Sequence, residues 1–204
     1  MYITFVGMEQ LIAKGAFPID KHKDVELFVL PANEERDFHL LYTDGLRRHR
    51  MSVPEDNASP DRCELYFCLP SYWKWDEEHM EKENFNFPIH WIKRIMNVPI
   101  ERDTFIAVGH TFPAGNPPKP ICELTRQNAF VLGAPIKAKE VLKGIEDKQG
   151  TIPFLSIIPL YKQELDYKHL QGSRKFYERF NKLGYDEEVN VSRTPFKLKR
   201  FLFF

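Results

Sequence analysis

His110 sits in the stretch Gly109-His-Thr-Phe-Pro-Ala-Gly-Asn-Pro-Pro-Lys-Pro-Ile121, where two glycines let a ligand approach the backbone and the prolines stiffen the chain. An imidazole so placed, with a carboxylate such as Glu123 or Glu64 beside it, would suit general acid–base catalysis; Glu164 is a third carboxylate of the same kind. The same letters also describe plain architecture: a strand that ends at Gly109, a turn, and a loop whose return is fixed by Pro117, Pro118 and Pro120. In that case His110 is a half-buried turn residue, or it lines a groove for a partner. Carboxylates are common on protein surfaces, and nothing in the sequence shifts the pKa of these three. The architectural alternative is the expected one, and the enzyme is the runner-up.

Other chemistry has less support. The chain has no Gly-rich phosphate loop ending in Lys-Ser or Lys-Thr, no GxGxxG between strand and helix, no HExxH and no GxSxG. His22, His39, His49, His79, His90, His110 and His169 fall in separate elements, without a pair at metal-ligand spacing. Cys63, Cys68 and Cys122 make an odd count with no CxxC, which argues against a disulfide framework and a structural zinc. No cofactor and no metal are expected.

The elements that must position the His110 loop can be read from apolar patterning. Val25–Leu30 and Phe38–Tyr42 flank the polar linker Pro31–Asp37 as two strands, and Thr43-Asp-Gly45 turns the chain. The basic tract Leu46–Met51 reads as a solvated loop edge rather than a phosphate site. Cys63–Pro70 is a buried strand, on which Cys63 and Cys68, five apart, point to opposite faces. Tyr72–Trp75 and the acidic segment Asp76–Asn86 read as a mobile loop. Phe87–Asn97 is predicted helical, with Pro88 in the first turn, Ile89, Ile92 and Met96 toward a sheet, Trp91 in the core and His90 on the surface. Thr104–Val108 is a short strand feeding the His110 loop, and Ile121–Leu132 and Thr151–Leu160 hold further strands. Tyr161–Leu183 shifts to helical spacing, broken near Gly172-Ser173. The fold class is therefore α/β of the α+β kind, a mixed sheet with a few packed helices, in a single domain over residues 1–204.

Composition limits the partners. Lys plus Arg equals Asp plus Glu at 29 each, so no basic excess drives nucleic-acid binding. No apolar run reaches membrane-spanning length, and Glu9, Gln10 and Lys14 break the N-terminal stretch that a signal peptide would need. With unpaired cysteines, this predicts a cytoplasmic protein. The tail, residues 184–204, ends in Phe196-Lys-Leu-Lys-Arg-Phe-Leu-Phe-Phe204, which is expected to pack as a strand or amphipathic segment on its own domain or on a second copy, with a membrane surface as the alternative.

Taken in order, several segments resemble the suppressor of fused family, in particular its bacterial branch. They are Tyr42–Gly45 with Met51, Glu64–Pro70 with Trp73, Pro88–Ile95, Gly109–Ile121, and Phe154–Tyr161 with Glu164 and Gly172, spread over about residues 25–183. The resemblance implies an N-terminal-type lobe of that fold and a role in binding rather than catalysis. Animal members hold an extended peptide of a Gli transcription factor by β-augmentation. Bacterial relatives are associated with immunity proteins that neutralise toxins. Carried across, the contact strand makes Phe105, Ala107, Gly109, His110 and Thr111 the partner-binding residues, with Thr104-Phe105 and Gly109 matching the family. His110 replaces an acidic residue, Ile95 an aromatic one and Arg47 a serine. These side chains bear on peptide specificity, whereas backbone pairing is independent of them. The expected partner is another protein, a toxin domain or a peptide added to a sheet edge.

Overall fold

A computed structural model describes residues 6–197. After helix α1 (Val6–Ala13), strands β1 (Phe17–His22), β2 (Val25–Leu30), β3 (Phe38–Asp44) and β4 (Glu64–Pro70) pair in sequence as an antiparallel meander. Two helices follow, α2 (Glu77–Met80) and α3 (Glu83–Glu101), and then the short strand β5 (Thr111–Pro113) and β6 (Gln127–Gly133). A small hairpin, β7 (Ile145–Asp147) with β8 (Gly150–Ile152), precedes β9 (Phe154–Tyr161) and α4 (Lys162–Lys182). The main sheet has seven strands in the order β1-β2-β3-β4-β9-β6-β5. β9 enters the middle, parallel to β4 and antiparallel to β6.

The central strands are apolar on both faces because both faces are covered. Val25, Leu27 and Val29 of β2, with Leu65, Phe67 and Leu69 of β4, join the cluster under α3. The alternate residues Phe28, Leu30, Tyr66 and Cys68 join a second cluster with α1 and the β7–β8 hairpin. On that second face, Ala129, Val131, Ile158 and Leu160 pack against Phe176 and Phe180 of α4. Cys63 and Cys68 fall in opposite clusters, and all three cysteines are buried and unpaired. Each fully buried Leu, Ile or Phe contributes about 1.5–3 kcal/mol relative to exposure.

Several segments differ from their sequence-based expectation. Most of residues 76–86 is helical rather than a loop: Asp76 caps α2 by accepting from the His79 amide, and Glu77, Glu78 and Glu83 lie in the first turns of α2 and α3, where helix dipoles favour them. Pro88 consequently lies inside α3, not in its first turn. Arg47, expected on a solvated edge, is buried. Its guanidinium bonds Glu64 at 2.6 Å and Asp44 at 2.5 Å.

Two of the three candidate catalytic carboxylates are buried structural clamps. Glu64 accepts from the backbone amides of Gly45, Leu46 and Arg47 and from the Thr43 hydroxyl, fixing the 3₁₀ turn Leu46–Arg48. Burial pushes its carboxyl up, and Arg47, Thr43 and the Gly45 amide pull against that. Glu164 pairs with Arg193 and accepts from the Tyr161 and Phe196 amides, which straps the C-terminal segment to the start of α4. A third buried carboxylate, Glu187, gathers the amides of Ile136, Lys137 and Ala138 and the Tyr66 hydroxyl. From the tail, Phe196 is fully buried against Phe176, Phe180 and Tyr185; residues 198–204 lie outside the described residues.

Candidate functional site at the free edge of the sheet

Thr104–Val108 has strand-forming residues but joins no ladder; the strand begins only at Thr111. The chain turns first, with the His110 amide donating to the Ala107 carbonyl at 3.0 Å. Gly109 occupies the third position of this turn with φ 90°, which costs an L side chain strain that glycine avoids. Its amide donates to the Leu132 carbonyl at 2.7 Å, and the Leu132 amide donates to the His110 carbonyl at 2.9 Å. Gly109 and His110 thus stand opposite the single residue Leu132 as a glycine bulge that steers the chain onto β6.

From there the alternation of an antiparallel ladder decides what faces outward. The His110 carbonyl and the Ala114 amide bond to β6, so Thr111 and Pro113 turn their backbone groups away from it. Thr111 offers one N–H and one C=O on the open side, whereas the Pro113 carbonyl already accepts from the Gly115 amide at 2.9 Å. β5 is the last strand of the sheet on this side. Its proline and short length limit indiscriminate edge pairing, as edge strands require.

The supports come from both faces. On one, the break at Gly172 (φ 82°) lets α4 bring Ser173 against Gly109, so close that a Cβ on Gly109 would stand 2.6 Å from its hydroxyl oxygen. The Tyr177 hydroxyl donates to the Leu132 carbonyl, and Thr111 Oγ1 lies 3.3 Å from His169 Nε2. On the other, Trp91, Ile95 and Val98 of α3 face Thr111, Phe112 and Pro113 across a cleft of about 280 Å³. Arg94 stacks its guanidinium 5.0 Å above the Trp91 ring.

Of the predicted partner-binding residues, this arrangement leaves only part available. Ala107 and Gly109 are buried, and Phe105 is half-buried with its ring 4.9 Å from that of His110. His110 and Thr111 are half-buried at the edge itself. Burial lowers the His110 pKa, the Lys168 charge lowers it further, and only its bond to the Phe105 backbone opposes them. The imidazole is neutral near neutral pH. Among the described residues no hydrogen bond or ion pair joins it to a carboxylate. Sequence reasoning missed Phe112, Pro113 and the exposed Val108, as well as His169, Ser173 and Tyr177. Proline after Thr-Phe was the available signal, because proline in a strand marks an edge.

A family model, that of the suppressor of fused protein (SUFU), matches residues 20–194. The chain belongs to the suppressor of fused family. No curated protein sequence matches it at a significant level. Among solved structures, a SUFU homologue from Neisseria gonorrhoeae FA 1090 is similar, with a TM-score of 0.61 and 14% identity over 95% of each chain. A chain of a Sufu–Fu complex gives a TM-score of 0.60 and 15% identity, covering 93% of this chain and 88% of that one. Drosophila Suppressor of Fused gives 0.51 and 12%, with 83% of this chain matching 42% of the fly protein. At such identities these likenesses establish the SUFU-like fold, a seven-stranded mixed sheet with helices on both faces. The SUFU match runs from within β1 through β9 and α4 to the Glu164–Arg193 pair. Among the described residues no helix is long and apolar enough to cross a membrane.

Proposed function

We propose that this SUFU-family chain is a non-catalytic protein-binding module that takes an extended segment of its partner along β5. The observation that carries the proposal is the outward N–H and C=O of Thr111 at the end of the sheet, beside the α3 cleft. A segment pairing there would bond the Thr111 N–H and C=O and send alternate side chains toward Ile95 and Trp91. Family membership and the protein complex formed by the similar Sufu chain support a binding role. Within a cytoplasmic setting, the partner we favour is a toxin domain that the module masks, the immunity role associated with bacterial members. The enzyme alternative loses its carboxylates: Glu64 and Glu164 are committed to backbone amides and arginines, and among the described residues no hydrogen bond links Glu123 to His110.

The test is co-expression with the protein encoded beside this chain, followed by isothermal titration. Thr111→Pro removes the outward amide without touching a β6 bond and should weaken binding at least about tenfold, the share of a hydrogen-bonded backbone pair. Thr111→Val, which removes only the hydroxyl near His169, should bind normally. Full affinity in a folded Thr111→Pro variant would put the partner elsewhere, and a bound toxin that stays active would end the immunity role.

A further inference from the structure

A second cleft, of about 980 Å³, opens on the far flank of α3, between β1, the α2–α3 corner and Pro120-Ile121. Its lining is mixed: Trp75, Met80 and Ile89 are half-buried along it and Phe87, Trp91 and Ile121 form an apolar floor, while charged and polar side chains make up the rest. The corner is held rigidly. The Trp75 indole donates to His39 Nδ1 at 3.2 Å, and the Asn86 side chain donates to the Met80 carbonyl at 3.1 Å. Pre-formed clefts of this size and character hold ligands.

Its charges are unbalanced. Asp20 and Lys93 line it and neutralise one another in an ion pair. Glu81 and Glu83, also in the lining, are exposed, and among the described residues neither takes part in an ion pair. Their neighbours Asp76 and Glu78 are matched by His79 and Lys82. Glu81 and Glu83 thus place two carboxylates outside any ion pair beside the apolar floor.

We propose that this cleft binds a short basic peptide segment of a protein partner, an aliphatic or aromatic side chain seated against Trp75, Met80 and Ile89 and lysine or arginine side chains against Glu81 and Glu83. The charge complementarity selects this occupant: an acidic segment would meet two like charges, and an uncharged one would leave them unpaired. Arginine also stacks favourably on indole. This site stands apart from the β5 edge, with only the Trp91 ring bordering both clefts.

The test uses a labelled hexapeptide of sequence Lys-Leu-Lys-Arg-Phe-Leu and a control with glutamate at each basic position, titrated in fluorescence anisotropy at low salt. The basic peptide should bind and the acidic one should not. Glu81→Gln with Glu83→Gln, both exposed and outside any ion pair among the described residues, should weaken binding about tenfold, the worth of two exposed ion pairs, and flatten its salt dependence. Trp75→Phe should weaken it while leaving the charge dependence. Absence of binding, equal binding of the two peptides, or an undiminished affinity in the double variant would each overturn the proposal. Thr111→Pro must leave this binding unchanged, so failure here and failure of the β5 proposal are separable.

Discussion

Gly109→Ala should destabilise the protein by about 2–4 kcal/mol, and the cost divides into two parts that can be measured separately. Holding an L residue at φ 90° costs about 1–2 kcal/mol. The new methyl would also stand 2.6 Å from Ser173 Oγ and 3.2 Å from Ser173 Cβ, an overpacking worth about 1–2 kcal/mol. Ser173→Ala removes the closer atom and leaves the other, so it should return about 1 kcal/mol of the second part and none of the first. The assay is urea unfolding of wild type, both single variants and the double variant, read as a double-mutant cycle. A coupling near zero would show that α4 does not press on the turn. A Gly109→Ala cost below about 0.5 kcal/mol would refute the left-handed backbone, and with it the bulge that starts β5.

Glu64→Gln should cost about 3 kcal/mol in the same unfolding assay, at the low end for a broken buried pair because Asp44 still holds Arg47; a change under 1 kcal/mol would refute the clamp. Stability should fall as pH drops below 6.5. His39 accepts from the Ala32 amide and the Trp75 indole at Nδ1 and bonds the Ser71 carbonyl through Nε2, so the folded state holds it neutral. Burial first, then Arg36 and Lys74, lower its pKa. Between the lowered folded pKa and the unfolded 6.5 the unfolded chain binds more protons, so stability is complete above 6.5 and declines below it. His110, shifted the same way, adds to the slope; His39→Gln should flatten its own share in pH-dependent urea melts, and an unchanged slope would count against it.

What was legible in the sequence was local. Val25–Leu30 and Cys63–Pro70 read as strands because each is a compact apolar run, and Gly172-Ser173 read as a helix break because no tertiary contact had to be known. Arg47 was misread because its partner Glu64 lies on a distant strand, and a charge run looks solvated until the counter-charge is located. The acids after Asp76 looked like a solvated loop because dipole compensation and solvation favour the same letters. At the candidate site, Gly109 and His110 stood out, yet the order of turn and strand was reversed. That order is set by Leu132 and Ser173, which spacing around His110 does not reveal.

The parallel seam between β4 and β9 bears on how the chain is made. The meander β1–β4 is complete once Pro70 has been synthesised, but the strand that covers β4's outer edge does not begin until Phe154. Throughout the intervening elongation the nascent chain carries an uncovered apolar edge, and the seam spans only the pairs from Glu64–Phe154 to Tyr66–Ser156. Such late, long-range closure makes folding slow, and it makes the half-made protein, rather than the finished one, the species most prone to aggregate.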